Sequence, residues 1–488
     1  MEALFTSLPT EVLSGVCDAL ATPQLRQGRE PEVAEGMTAL LRLGQTCRFL
    51  REVVCPVLYR KVSTSWGGQS PRTLKLAPLV RTLAQSPALA HHVREVDVRD
   101  NEDSHGRQTL PERDLGPKVS ENDLDYFNNL LSAHALHPTM GLEAALRQTS
   151  PRWSEYTGML AILLLCVAPR VHTATFTMLN GWDMSFMRGG AEARADVGSS
   201  GDGEAPRPDV RFPNLRSFTL SKVGRKMYWL RSFWGFLAAA PNLVHLAVDQ
   251  CMGGIPPGMV RLPRLKTVIL TSTMLSKSDH LALIGCSTEL ERFTTKGLGG
   301  LSTRGFWQAF PGQVMQALSH AAASLRSIEI DLSSAHDTVW RVMLPEWDNT
   351  DPTISRAKFP ALEELALNYT AVRADDDNSL VTLIAECPLL RRLVLWQIDR
   401  EDFGEVASCT RRLALEMAAG RFKALKRVEL RFRSLCTMVG SAEQTAVDDL
   451  ERLFGRFDVE VVTTTRYHAP DENRRRGAIQ IEPGAVVL

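Results

Sequence analysis

Pro213-Asn214-Leu215-Arg216-Ser217-Phe218-Thr219-Leu220 is a phrase that this 488-residue chain repeats. It returns as Pro241-Asn242-Leu243-Val244-His245-Leu246-Ala247-Val248 and as Pro263-Arg264-Leu265-Lys266-Thr267-Val268-Ile269-Leu270. Later copies are Pro360-Ala361-Leu362-Glu363-Glu364-Leu365-Ala366-Leu367 and Pro388-Leu389-Leu390-Arg391-Arg392-Leu393-Val394-Leu395. Looser ones open at Leu290, Leu325 and Leu425, and earlier candidates run from Pro87 to Val98 and from Pro169 to Phe176. The last residues of each copy alternate apolar and polar, the pattern of a short strand buried on one face. Helical stretches precede most copies: Trp229 to Ala239, Ser278 to Ile284, Val314 to Ala323, Leu380 to Cys387 and Arg411 to Ala419. The proline opening many copies ends the helix before it. One helix-plus-strand unit cannot cover its own apolar face. Units therefore stack, strand beside strand, into a curved parallel sheet backed by helices.

The phrase resembles the leucine-rich repeat in a degenerate form, which implies an α/β fold: an irregular solenoid of parallel strands backed by helices. Copies lie about 22 to about 44 residues apart, against ~20–29 for that repeat, so the excess sits in loops. An ordinary α/β domain with several parallel strands is the alternative. The array is expected over 63–465, with insertions near 100–122, 189–211 and 333–358 and a flexible tail over 466–488. The last insertion carries Trp340 and Trp347.

Outward from the array lies a different kind of head, over 1–62. From Leu8 the apolar residues Leu8, Val12, Leu13, Val16, Cys17 and Leu20 follow one stripe of an amphipathic helix, with Pro9 suited to its first turn. A second apolar set runs through Leu40, Leu41, Leu43, Cys47, Leu50, Val53 and Val54, with Gly44 expected to divide it into two short helices. On pattern alone the head is a helical cap on the array. Its ordered set is Leu8-Pro9-x-Glu11-Val12-Leu13, then Leu43 to Leu50 through Cys47-Arg48, then Pro56-x-Leu58-Tyr59-Arg60. This set resembles an F-box.

That resemblance implies a small helical module docking on a Skp-type adaptor and, through it, a cullin–RING (SCF) ubiquitin ligase. The residues carried over as adaptor-facing are Leu8, Pro9, Val12, Leu13, Val16, Leu43, Cys47, Leu50 and Tyr59, some of them shared with the module's own core. The Ala21 to Met37 connection is longer than the family's usual one, and its part from Ala21 to Glu32, with two prolines and a glycine, reads as an exposed loop.

Hydrophobic content of 44% and charged content of 23% fit a folded chain. Lys plus Arg and Asp plus Glu number 56 each, so no global basic field draws nucleic acid or anionic lipid. Nine cysteines are scattered without a Cys-x-x-Cys pair, as reduced thiols are. The expected setting is cytoplasm or nucleus. The most apolar run, Met159 to Ala168, is about half of the ~20 residues that cross a bilayer.

No phosphate loop, zinc helix or nucleophile elbow is present. His91-His92 lacks the further ligands of a metal site, and Asp375-Asp376-Asp377-Asn378 reads as the capped start of a helix from Leu380. The expectation is a non-catalytic chain without cofactor. Alternation places Ser217, Thr219, His245, Asp249, Thr267, Thr271, Ser327, Glu329, Asp331, Glu364, Asn368, Arg392, Trp396, Arg427, Glu429 and Arg431 on one solvent-facing strand surface. Ten of these are expected to bind a target protein: His245, Asp249, Glu329, Asp331, Glu364, Asn368, Arg392, Trp396, Arg427 and Arg431. Trp396 and Arg392 are the expected anchors. The resulting reading is an SCF substrate receptor. An interaction scaffold without a ligase role is the alternative, with the head as a terminal cap.

Overall fold

A computed structural model describes residues 8–21, 33–63, 73–99, 121–134, 153–178, 211–222, 227–253, 260–297, 309, 311–331, 358–368, 379–398, 403–432 and 442–465. The chain divides into two compact units, Met1–Val248 with Gly258–Leu265, and Asp249–Pro257 with Lys266–Leu488. Nearly all of the three insertions, Trp340 and Trp347, the Asp375–Asn378 run and the 466–488 tail lie outside the described residues.

The first unit opens with helices α1 (Thr10–Ala21), α2 (Val33–Thr46) and α3 (Arg48–Leu58). Their core is Leu13, Cys17, Leu40, Leu50, Val53 and Val54. Two expectations are corrected here. The break between the second and third helices falls at Cys47, not Gly44. Cys47 is extended (φ −155°, ψ 165°), and its Sγ accepts from Leu50 N–H at 3.5 Å as the cap of α3. Gly44 stays helical, and α3 packs against it: a Cβ there would sit 3.4 Å from Val54 Cγ1. Helix α2 also starts earlier than expected, at Val33 rather than near Met37.

Strand β1 (Lys61–Ser63) then pairs parallel with β2 (Glu95–Arg99), which follows α4 (Thr73–Gln85) and α5 (Pro87–Ala90). Helices α6 (Glu121–Ala133) and α7 (Trp153–Val167) lead to β3 (Thr173–Met178), and β4 (Ser217–Lys222) follows. The apolar run within α7 is buried throughout from Met159 to Leu165. The expected helix from Trp229 is shorter. Tyr228–Trp229 forms the short strand β5, with Trp229 extended at φ −84°, ψ 120°. A 3-10 turn, Leu230–Phe233, precedes α8 (Trp234–Ala239) and then β6 (His245–Asp249). Strands β1, β2, β3, β4 and β6 pair in that order, all parallel. Phe176, Phe212, Phe218 and Phe236 pack together under them, with Phe218 and Phe236 centroids 4.4 Å apart.

The second unit repeats the scheme. After the short β7 (Cys251–Met252) its strands are β8 (Thr267–Thr273), β9 (Arg292–Gly297), β10 (Ser327–Asp331), β11 (Glu364–Asn368), β12 (Arg392–Ile398), β13 (Arg427–Phe432) and β14 (Glu460–Thr465). From β8 onward each pairs parallel with the next. Helices fill several crossovers: α9 (Lys277–Ile284), α10 (Pro311–Leu318), α11 (Ser379–Ala385), α12 (Phe403–Ala418) and α13 (Ala442–Gly455). Strands added in chain order with helical crossovers are the arrangement of an irregular leucine-rich-repeat-like solenoid.

The repeated phrase has a visible purpose. The carbonyl before most strands accepts two successive N–H groups from the next copy. Arg60 O accepts from Arg94 and Glu95, His172 O from Arg216 and Ser217, and Arg326 O from Glu363 and Glu364. In the Pro-Asn-Leu copies the asparagine side chain adds a rung: Asn214 donates to Pro169 O and Asn242 to Pro213 O, each at 2.8 Å. Ser324 holds the corresponding place in its copy and donates to Leu290 O at 2.8 Å. These side-chain bonds satisfy turn carbonyls that strand pairing leaves open.

Candidate functional site

Two surfaces collect the residues singled out from sequence. In the head, Leu13 and Leu50 face inward, while Leu43, Cys47 and Tyr59 are half-buried. Leu8 (39% exposed), Val12 (49%) and Val16 (45%) face solvent with Pro9, and Leu20 (37%) continues their row. Residues spaced by four lie on one side of a helix, so Val12, Val16 and Leu20 form an apolar stripe along α1, with Leu8 just before its start. Leu41 (49%) on α2 is a further exposed aliphatic of the head. Leu20 and Leu41 were legible as apolar positions but absent from the expected adaptor-facing set. An ion pair between Arg60 and Asp18, at 3.4 Å, ties α1 to the start of β1.

The second surface is the polar side of the strands. In the second unit, register sets its residues in rungs. One rung runs through Thr267, Arg292, Ser327, Glu364, Arg392, Arg427 and Glu460, and the next through Ile269, Thr294, Glu329, Ala366, Val394, Glu429 and Val462. First-rung side chains are largely half-exposed, as expected, and His245 in the first unit is too. Further along the strands the expectation of a solvent-facing surface holds for Thr219, Thr271, Glu329 and Arg431, which are half-exposed, and fails at five positions, Glu429 among them. Asp249, Asp331, Asn368 and Trp396 are all buried. Trp396 is corrected from exposed anchor to covered side chain: the Arg431 guanidinium lies 4.0 Å above its ring, and only 4% of the residue meets solvent. A cation over an indole face is favourable in itself and excludes water from the ring.

Arg431 belongs to a knot around Glu429. Its Nε meets one carboxylate oxygen at 2.6 Å, Arg392 meets the other at 2.9 Å, and Arg427 Nε stands 3.8 Å from the second oxygen. Arg427 also pairs with Glu460 at 3.1 Å. Burial pushes the Glu429 carboxyl up, but hydrogen bonds and charge from Arg431 and Arg392 outweigh it and hold the pKa below its ordinary value. Arg392 and Arg427 are thus engaged with strand neighbours and keep about two-fifths of their side chains exposed.

Glu429→Gln is expected to lower stability by about 1–2 kcal/mol at neutral pH. Because the folded pKa is depressed, the stabilisation is present above the ordinary carboxylate range and lost as pH falls through the folded value. The gap between the two proteins should therefore close on acidification. Denaturant titrations at pH 7 and pH 4 check both points.

Glu329 pairs with Lys296 at 3.1 Å, and Glu364 accepts from Ser327 at 3.2 Å. Asp249 accepts from the Thr271 hydroxyl at 2.8 Å. Among the described residues no group of three or more His, Cys, Asp or Glu is placed to hold a metal ion. None of their helices is long and apolar enough to cross a membrane. The eight described cysteines carry free thiols, and burial pushes those of Cys166 and Cys387 up to about 12.

Strand order, register and repeated turn define the class: a leucine-rich-repeat-like α/β array with a helical head. No family model matches the sequence, and no curated protein matches it either. Among solved structures, an internalin (inlF) from Listeria monocytogenes str. 4b F2365 overlaps with 63% of this chain and 66% of its own, just under two thirds. The two share 11% sequence identity and a TM-score of 0.30. The class rests on the strand pairing, not on that overlap.

Proposed function

We propose that this chain is the substrate-recognition subunit of an SCF-type ubiquitin ligase. The head docks on a Skp-type adaptor and through it a cullin–RING ligase, and the repeat array holds a target protein. The observation that carries this reading is the exposed stripe Leu8, Val12, Val16 and Leu20. Leu8 leads into, and the other three lie on, the helix where the F-box resemblance is strongest, and the head has a buried core of its own in Leu13, Cys17, Leu40, Leu50, Val53 and Val54. Exposed aliphatics in a continuous row cost solubility and are kept where a partner covers them. The chain itself performs no chemistry in this reading; it acts by holding a target near an activated ubiquitin.

Val12→Glu/Val16→Glu tests it. Both side chains are about half exposed, so the head should stay folded, with an unchanged circular dichroism spectrum and melting temperature. Co-purification of a Skp-type adaptor with the intact protein should fall below detection in the variant. An intact protein that never retains an adaptor rules the reading out. What remains then is an interaction scaffold without a ligase role, which needs only the array.

A further inference from the structure

The residue that enters each strand stands next to its counterpart in the neighbouring copy, because the carbonyl of one accepts the N–H of the next. These residues form a column across each sheet, with neighbours one strand spacing apart, ~4.8 Å. In the second unit the column runs Lys266, Glu291, Arg326, Glu363, Arg391 and Lys426, alternating in sign as far as Arg391, and acids meet its cations. Lys266 meets Glu291 at 2.7 Å, Glu363 lies between Arg326 at 3.9 Å and Arg391 at 3.7 Å, and Lys426 pairs with Asp458 at 3.1 Å.

The first unit has the same column without the alternation. Its members are Arg60, Arg94, His172, Arg216 and Val244, linked by bonds of 2.7–2.9 Å between successive backbones, and none is acidic. Arg170 stands beside the row in the same turn as His172, and His92 in the same turn as Arg94. Arg60 is engaged by Asp18, but among the described residues Arg94, Arg170 and Arg216 have no ion-pair partner. Arg170 and Arg216 are exposed and Arg94 is half-buried. The crowding of charge registers on its neighbour: burial first, and then repulsion by Arg94, Arg170 and His91, lowers the pKa of His92.

Arg94 and Arg216 stand two strand spacings apart with His172 between them and no acid in the row, whereas the second unit shows that this same position accepts acids. We propose that the strand-entry edge of the first unit is a docking row for an acidic segment of a partner protein. The row is shorter than two Debye lengths at 0.1 M salt, ~10 Å each, so its charges act together on one ligand. Arginine forks pair with carboxylates two bonds at a time, which suits an extended run of Asp and Glu. A nucleic acid fits less well: its affinity grows with the number of phosphates neutralised, and this row offers few cations on a chain of zero formal net charge. The proposal rests on the reading that the array engages a protein, but not on the adaptor.

The test is fluorescence anisotropy of a labelled oligoglutamate peptide with the full chain, at low and high salt. A single-stranded oligouridylate probe is run alongside. Wild-type protein should bind the peptide in a salt-sensitive way and more tightly than the RNA. Arg94→Ser/Arg170→Ser/Arg216→Ser should weaken peptide binding by roughly tenfold or more. Arg411→Ser/Lys423→Ser/Arg456→Ser removes as many exposed cations from the other unit and should leave it unchanged. No peptide binding by the wild type overturns the proposal, as does an equal loss in both variants or tighter binding of the RNA. Adaptor co-purification is measured on the same variants. If the peptide result fails while the adaptor is retained, only the docking row falls; if the adaptor alone is lost from the wild type, only the ligase reading falls.

Discussion

Phe236→Ala is expected to destabilise the first unit by about 3–5 kcal/mol, the largest effect of any single substitution considered for this chain. Phe236 is fully buried on α8 and touches three other rings, with centroids 4.4 Å to Phe218, 5.3 Å to Phe212 and 6.2 Å to Phe176. Those partners come from two neighbouring strands and from the turn before the second of them, so the ring fills space that no single repeat owns. Truncation removes transferred apolar area and leaves a void that three aromatic rings cannot close without leaving their rotamers. In a repeat array stability is a sum of units and the interfaces between them, and this ring lies at such an interface. Chemical denaturation should show the midpoint of the first unit falling well before any change in the second. Phe236→Leu, which keeps most of the volume, should recover more than half of the loss.

Asp249→Asn should do the opposite and stabilise the protein at neutral pH by about 2–3 kcal/mol. Burial raises the pKa of Asp249 to about 6, against hydrogen bonds from Thr271, Ser272 and the Gln250 backbone that pull the other way. The buried thiol of Cys251 lies near enough for the Asp249 charge to raise its pKa further. An acid whose folded pKa exceeds its unfolded one binds protons more readily in the native state. Stability is therefore greatest below the unfolded value and falls as pH rises toward 6, and the cost persists at pH 7. Asparagine keeps an acceptor for the Thr271 hydroxyl without the charge. Melting temperatures should fall in the wild type by more than in the variant, with the two curves separating between about pH 4 and pH 6 and keeping that gap to pH 8. Parallel curves would show that the Asp249 carboxylate is better solvated than its burial implies.

Much of the array was legible from local pattern. Alternation in Ser217 to Leu220, Glu364 to Leu367 and Arg392 to Leu395 marked strands that the structure contains, because a period of two is a property of neighbouring residues. The prolines that open the copies marked helix ends for the same reason. Boundaries were less secure. Trp229 is extended rather than helical, and the break in the head lies at Cys47, because capping geometry and close helix packing, not the presence of a glycine, decide where a helix stops. In the strand surface, Arg392 and Arg427 were correctly set on the polar side, but Trp396 was read as exposed. Its cover comes from Arg431 on the next strand, a neighbour that alternation within one strand does not reveal.

The sequence by itself determined the unit of construction: a strand with one apolar face, a helix ended by proline, and enough copies to stack. It also determined the helical head with its apolar row from Leu8 to Leu20. Only the tertiary structure decided which polar residues remain available to a partner. Register across the crossovers packs Glu429 among three arginines, lays Arg431 over Trp396, and pairs strand-entry charges of the second unit, while among the described residues Arg94 and Arg216 at strand entries and Arg170 beside them have no ion-pair partner. Those contacts join residues far apart in the chain, and their signs balance or fail to balance only once the strands lie side by side.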